Sequence, residues 1–104
     1  MIVVTTDTVP GRTIKETLGL VRGNTVRCRH IGQDIKALVR NMIGGEVVEY
    51  TKLMAESREQ ALDRMVQNAQ EIGANAVLAI RFSTAEIMSG AAELLVYGTA
   101  VILE

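Results

Sequence analysis

The chain is 104 residues long, 48% of them hydrophobic, and it carries 11 Lys and Arg against 12 Asp and Glu. This length is typical of one domain, so we treat residues 1–104 as a single domain, and the apolar content excludes an intrinsically disordered chain. The near balance of charges excludes a globally basic nucleic-acid-binding protein, and we expect no nucleic acid among its partners.

The composition predicts that the chain associates with itself. Only 3% of its residues are aromatic and it has no Trp, although large rings normally supply much of the buried area in a small core. The single cysteine, Cys28, excludes an intramolecular disulfide. Because a small core without such a link is marginally stable alone, we expect a homo-oligomer.

The N-terminal segment has no basic start and only a short apolar run, so it does not have the pattern of a signal peptide. No stretch approaches the roughly 18 uninterrupted apolar residues of a transmembrane helix. We therefore expect no membrane association and a cytoplasmic location, where a reduced thiol is ordinary.

The first part of the chain reads as extended. Residues 2–6 are mostly β-branched and predict a first strand, and Val-Pro-Gly at 9–11 predicts a turn. Residues 18–29 form a second extended run, which Gly19 and the Gly-Asn pair at 23–24 interrupt. These interruptions predict a bulge or a hairpin.

Two helices are predicted next. Asp34 can cap a short helix over 34–43, which the glycine pair at 44–45 ends. Residues 50–72 place apolar and small side chains three or four positions apart, with charged and amide side chains between them. This spacing predicts one long amphipathic helix, which Gly73 ends.

Two strands complete the predicted fold. Residues 76–82 and 93–103 are apolar at both alternating sets of positions, and residues 84–92 read as the connection between them. One long helix covers only one face of such strands, so either the short helix or another subunit covers the second face. We favour another subunit. The predicted class is α+β.

Charge is distributed unevenly along the chain. Residues 1–40 hold seven basic and three acidic side chains, a net +4, whereas residues 41–104 hold four basic and nine acidic ones, a net −5. This polarity can steer head-to-tail contacts between identical subunits. Alternatively, it gives only a dipolar surface without a partner.

Several short segments, spaced along nearly the whole chain, resemble the YbjQ-like family. It is their combination at these spacings that carries the resemblance. The segments are Arg22-Gly23, Arg29-His30-Ile31, Gly44-Gly45-Glu46, Glu49-Tyr50, Arg58 with Ala61, Gly73-Ala74-Asn75-Ala76-Val77 and Tyr97-Gly98-Thr99-Ala100-Val101.

The resemblance implies a small prokaryotic protein of a family described as heavy-metal-binding, with mostly unknown functions. It also implies a dodecin-like subunit, in which a long helix packs on an antiparallel sheet in the order β-α-β-β, here with an extra short helix. The family assembles as a pentamer, so we expect an oligomeric ring.

The only Cys and the only His, Cys28 and His30, are the candidate metal ligands. Two residues apart on a strand, they would point to the same face. Thiolate and imidazole favour a divalent transition or heavy-metal ion, but two donors do not complete a tetrahedral site. A neighbouring chain would have to add a carboxylate such as Glu46 or Glu49. The alternative is that Cys28 is an apolar core residue and His30 only ends the strand.

The candidate anion or interface residues are Arg27 and Arg29, on the opposite face of that strand, together with Arg58 and Tyr50 of the family-like segments. Guanidinium groups bind phosphate or carboxylate bidentately. Arg27 and Arg29 line a subunit interface, hold a small anion or are simply solvated. Glu49 and Arg58 form either a structural ion pair, which we favour, or part of a ligand site.

The sequence gives little support for catalysis. Its serines lack a nucleophile-elbow context, a single His offers one natural base, and there is no phosphate-binding glycine loop. We therefore expect a non-enzymatic, oligomeric metal-binding protein. The alternative is an oligomeric scaffold or small-anion binder without a metal.

Overall fold

In a computed structural model of the chain, the structure describes residues 1–28 and 48–104. The predicted short helix over 34–43 and its glycine stop lie outside the described residues. The described elements are β1 (Ile2–Val3), β2 (Ile14–Cys28), α1 (Val48–Glu71), β3 (Ala76–Met88) and β4 (Ala91–Leu103). They confirm the α+β class.

The strands form one four-stranded sheet in the order β1-β3-β4-β2. β3 and β2 both pair with β4 in the antiparallel sense, but β1 pairs with β3 in parallel. The sheet is therefore mixed, and the prediction of a purely antiparallel sheet is wrong at β1. The order of described elements is β-β-α-β-β rather than β-α-β-β, because residues 14–28 form a full strand.

β2 is one continuous strand, so the hairpin that Gly19 and the Gly-Asn pair at 23–24 could have formed is not present. Its pairing with β4 shifts register between Thr17 and Gly19, so an irregularity does lie at the first glycine. At Gly23 the strand runs on, with Gly23 opposite Val96 and Asn24 opposite Leu95. The glycine therefore serves a purpose other than turning the chain.

Gly23 is the point of closest approach between β2 and α1. A Cβ placed on Gly23 would overlap the backbone of Ala61 and Met65 and would lie 3.0 Å from the carbonyl carbon of Arg64. Any side chain at this position would push the helix away from the sheet. Asn24 adds a polar link beside it, because the Arg64 Nη1 donates to the Asn24 carbonyl at 2.6 Å.

The predicted long helix is confirmed as α1, and its apolar side forms one side of the main core. Ser57, Ala61, Met65 and Ala69 lie four residues apart and are all buried. In the described part of the chain, no helix has both the length and the apolar character needed to cross a bilayer.

The end of α1 has the hydrogen bonds of a Schellman motif. Gly73 has a φ of 86°, its N–H donates to the Gln70 carbonyl, and the N–H of Ala74 donates to the Ala69 carbonyl, both at 3.0 Å. These bonds satisfy carbonyls that the helix leaves free. The prediction that Gly73 ends the helix is confirmed.

Asn75 joins the helix end to the sheet. Its Nδ2 donates to the Leu103 carbonyl at 2.9 Å, and its Oδ1 accepts from the Leu103 N–H at 2.7 Å. Its backbone N–H donates to Val101 and its carbonyl accepts from Ile2, both at 3.2 Å. Asn75 therefore connects three strands at one end of the sheet.

The final two strands form a longer hairpin than predicted. Residues 84–92 are not a connection, because β3 continues to Met88, β4 begins at Ala91, and only two residues link them. Pairing continues to the contact of Met88 with Ala91. The far half of β3 is exposed on both faces, so its polar residues do not oppose strand formation.

The two faces of the sheet differ in what packs against them. The helix face contacts α1 and contains the alternate β4 residues Leu94, Val96, Gly98 and Ala100, all buried. The open face is the opposite one and contains Leu20, Arg22, Asn24, Val26, Arg81, Ser83, Ala85, Glu93, Leu95, Tyr97 and Thr99.

The N-terminal segment covers one end of the open side, so part of our argument for a second subunit there is wrong. Ala76, Leu78, Val101 and Leu103 form a second buried cluster, against which the N-terminal residues Ile2, Val4 and Val9 pack. The segment reaches this position through the predicted turn, in which the Arg12 N–H donates to the Val9 carbonyl at 3.1 Å. The rest of the open face has no cover from the described residues.

Gly98 lies where β3 packs closely against β4. A Cβ there would lie 2.7 Å from Val77 Cγ1 and 2.9 Å from the Leu78 carbonyl oxygen. Opposite it, two β3 residues face one β4 residue, and Ala79 in this bulge has a φ of 54°. The Ala79 N–H donates to the Thr6 carbonyl at 2.8 Å, so the N-terminal segment stabilises the strained residue.

We predict that Gly23→Ala is more destabilising than any exposed glycine substitution. The new Cβ overlaps helix backbone, which cannot rotate away, so we expect a loss of about 3 kcal/mol or more in the free energy of unfolding. Gly11→Ala is the control, because its Cβ would meet nothing within 4 Å while its φ is 79°, and it should lose only about 1–2 kcal/mol. Urea unfolding of both variants tests this, and equal losses would contradict it.

Candidate functional site

Arg27 anchors the junction between the end of β2 and the first half of α1. It lies on the helix face, where its Nε donates to Ser57 Oγ at 2.9 Å and its Nη2 donates to Gln60 Oε1 at 2.7 Å. Charged donors of this kind form stronger bonds than neutral ones. Arg27 is therefore engaged with its own helix, whether or not it also meets another subunit or an anion.

Ser57 is the centre of this polar junction. Its side chain is 1% exposed, and its hydroxyl donates to the Leu53 carbonyl at 2.8 Å while it accepts from Arg27. Thr25, the other buried polar residue, donates to the Ser57 carbonyl at 3.3 Å. No buried side-chain N or O atom in the described ranges lacks a partner, so this junction is fully satisfied.

A cleft of about 310 Å³, which we call the junction cleft, opens beside Arg27. Its lining is half apolar and half polar, and it is formed by α1, the end of β2 and the tip of the β3–β4 hairpin. The lining residues are Arg27, Leu53, Met54, Thr84, Glu86, Gly90, Ala91 and Ala92. Its volume lies at the lower end of the range for small-molecule sites.

The register of the sheet explains why these side chains meet. Glu86 of β3 and Arg27 of β2 both lie opposite Ala92 of β4. The small side chain between them leaves room for the cleft, with a carboxylate on one side and a guanidinium on the other. Leu53 and Met54 close the third side from α1.

A second, shallower depression lies on the outer side of Arg27. It is lined by Arg27, Ala55, Glu56, Glu59, Gln60 and Asp63, which are helix residues apart from the arginine. Across residues 1–28 and 48–104, no three His, Cys, Asp or Glu side chains are grouped so that they could hold a metal ion. The acidic residues of the depression are therefore not such a group.

The candidate metal ligands fall at the boundary of the described chain. Cys28 is the last residue of β2 and pairs with Ala91, a residue that lines the junction cleft. His30 and Glu46 lie outside the described residues. Glu49 is in the first turn of α1, one turn before Leu53, and its side chain lies outside the described part.

The candidate anion residues are separated by the same boundary. Arg29 lies outside the described residues, and the side chain of Tyr50, in the first turn of α1, does as well. Arg58 is exposed on α1, and its Nε donates to the Met54 carbonyl at 3.3 Å, one turn earlier. Among these candidates, the structure therefore locates Arg27 and Arg58, and it brings only Arg27 to the junction cleft.

Sequence reasoning missed Ser57, Gln60 and Glu86. A signal for Ser57 was present, because it occupies the buried four-residue series of α1 where every other member is apolar. A hydroxyl in such a series indicates a buried polar partner. Glu86 gave no signal, since its place at the cleft depends on the unexpected length of β3.

Comparison with known proteins identifies full-length relatives. A family model described as "Putative heavy-metal-binding" (YbjQ) matches residues 1–104. A UPF0145 protein of Methanosarcina acetivorans is 50% identical over 101 residues, covering 97% of this chain and 95% of its own. One from Thermococcus kodakarensis is 54% identical over 104 residues, covering 100% of this chain and 92% of its own.

A solved structure has the same fold. It is the crystal structure of a protein of unknown function from Pediococcus pentosaceus, which superposes with a TM-score of 0.68. The match covers 100% of this chain and 98% of the other, at 15% sequence identity. At that identity the likeness concerns the fold alone.

We predict that Ser57→Ala destabilises the protein by about 1–3 kcal/mol, because it leaves the Arg27 Nε without its partly buried acceptor. Gln60→Ala removes the exposed bond of the same arginine and should cost only about 0.5 kcal/mol. Urea unfolding at equal protein concentration measures both changes. A larger loss for Gln60→Ala would contradict the central role of Ser57.

Proposed function

Since this chain belongs to the YbjQ family of UPF0145 proteins, we propose that it is a homo-oligomeric protein that binds a heavy or divalent transition metal ion without catalysing a reaction. The family description over the full chain carries this proposal. The position of its only cysteine supports it, because Cys28 ends β2, two residues before the only histidine, His30.

The proposed ligands are Cys28 and His30, completed by a carboxylate from Glu46 or Glu49. A thiolate and an imidazole favour zinc, copper or a softer heavy metal over calcium or magnesium. Metal uptake would release protons, because the thiol must ionise to bind.

The proposed assembly follows from the edges of the sheet. β2 ends the sheet on one side, and β3 beyond Ile80 has no described strand on its outer edge. Exposed strand edges favour pairing with another chain. The exposed hairpin residues Ile87 and Met88 add apolar area next to one of these edges.

A closed ring is the arrangement that best suits these edges. Because the two edges belong to different strands, a contact between them is head-to-tail, and such contacts form a ring when the rotation from one subunit to the next closes. The opposite net charges of the two parts of the chain favour the same arrangement. Five subunits is the number that the family resemblance suggests, and the cytoplasm is the compartment we propose.

We predict that native mass spectrometry of untagged protein, mixed in turn with zinc, copper, nickel and cadmium, detects a five-chain assembly with a whole number of ions per chain. The double variant Cys28→Ser with His30→Ala should lose the ions and keep the assembly. Uptake that survives in this variant would overturn the ligand assignment, and a monomer would overturn the ring.

A matched pair of variants tests the carboxylate. We predict that Glu49→Gln weakens metal binding at least tenfold, because it removes an anionic donor at the start of α1. The control Glu71→Gln makes the same chemical change in the last turn of the helix and should bind as the unmodified chain does. Equal affinities for the two variants, measured by competition with a chromogenic chelator, would exclude Glu49 as a ligand.

A further inference from the structure

Three side chains with complementary chemistry lie side by side on the open face of the sheet. Tyr97 of β4 pairs with Arg22 of β2 on one side and with Arg81 of β3 on the other. Directly paired residues of antiparallel strands share a face, with Cβ atoms about 4.5–5.5 Å apart. The result is an aromatic ring between two guanidinium groups, which we call the Arg-Tyr-Arg row.

The row is accessible in the subunit. Tyr97 is 38% exposed, and both arginines are exposed as well. The N-terminal segment packs on the sheet further along, over Ala76 and Leu78, and touches the row only at Arg81, through the Thr5 carbonyl. A ligand therefore reaches the ring and both guanidinium groups without a change in the fold.

Arg81 is held in position by the N-terminal segment. Its Nη1 donates to the Thr5 carbonyl at 2.9 Å and to the Ile80 carbonyl at 2.8 Å. These bonds use one of the three guanidinium nitrogens and leave the N–H groups of Nε and Nη2 for an acceptor. A side chain fixed in this way loses little entropy when it binds an anion.

Arg22 is fixed through its backbone instead. Its N–H donates to Asn68 Oδ1 of α1 at 3.4 Å, while no described residue accepts a hydrogen bond from its guanidinium. The neighbouring positions of the open face bear no acid: Leu20 and Thr99 lie on one side, Asn24 and Leu95 on the other. Glu93, one pair further on, accepts from Asn24 Nδ2 at 3.3 Å. The positive charge of the row is therefore not neutralised in its own neighbourhood.

We propose that the Arg-Tyr-Arg row binds a mononucleotide, with the base stacked on Tyr97 and the phosphates held by Arg22 and Arg81. Every base presents a flat ring that stacks on an aromatic side chain, and a guanidinium binds phosphate through paired N–H groups. Each arginine lies one strand spacing, roughly 5 Å, from Tyr97, so its long side chain can reach phosphates that project from a base stacked on the ring.

The size of the row favours a single nucleotide over a nucleic-acid strand. Among the described residues, Tyr97 is the only ring on the open face, so it can stack one base. The chain as a whole has a net charge of −1, which does not attract a long polyanion. Arg22 and Cys28 lie six residues apart on β2, roughly 20 Å, so this site is separate from the proposed metal site.

Calorimetric titration of the intact assembly with ATP, in metal-free buffer containing EDTA, tests the proposal. We expect one ATP to bind per chain. Adenosine and inorganic phosphate should each bind at least tenfold more weakly, because adenosine can only stack on Tyr97 and phosphate can only contact the arginines. Tyr97→Leu and Arg22→Gln should each weaken ATP binding about tenfold, whereas Tyr97→Phe retains the ring and should bind as the unmodified chain does.

Two control variants distinguish the row from a general attraction of ATP to surface arginines and from binding at the metal site. Arg58→Gln removes an exposed arginine on α1 and should leave ATP binding unchanged, as should the Cys28→Ser with His30→Ala variant that tests the metal site. Absence of ATP binding at millimolar concentration would overturn the proposal, as would equal weakening by Arg22→Gln and Arg58→Gln. Tighter binding of an oligothymidylate than of ATP would overturn the assignment to a mononucleotide.

Discussion

The close approach of α1 to β2 at Gly23 is the contact on which the rest of the subunit depends. With no Cβ at this position, the helix backbone at Ala61 and Met65 lies directly on the strand. That distance sets the depth of the main core, whose helix side consists largely of small residues. It also brings Ser57, one turn earlier on α1, within reach of Arg27. The polar junction and its cleft therefore depend on a missing side chain.

The sequence predicted those parts of the fold that local chemistry determines. The periodicity of α1, its end at Gly73 and the turn at 9–11 are all found where the residues indicated. Each depends on neighbours within a few positions or on a side chain with one obvious function. The buried part of β3 was equally clear, because its apolar residues have no other place in a small domain.

The remaining features depend on partners distant in sequence. Gly23 with Asn24 has the composition of a turn, and only the helix 40 residues later shows that the glycine permits packing. The far half of β3 is exposed and mixes polar residues with Ile87 and Met88, and composition alone cannot distinguish such a strand from a loop. The candidate site is predictable to the same extent. The sequence indicates Arg27 as a candidate, but its hydrogen-bond partners and the position of Glu86 follow from the length and register of the strands.

The pairing of β2 with β4 has a consequence for how the chain folds. β3 and β4 are joined by two residues and can pair early, but β2 must wait for the last strand to be synthesised before it has a neighbour. Pairing β2 with β4 closes a long loop of chain, and this step is slow because the chain between the two strands loses conformational entropy before their contact forms. During translation β2 is therefore an unpaired, partly apolar segment. The protein is therefore most prone to aggregation, and most dependent on chaperones, during synthesis, before β2 has paired with β4.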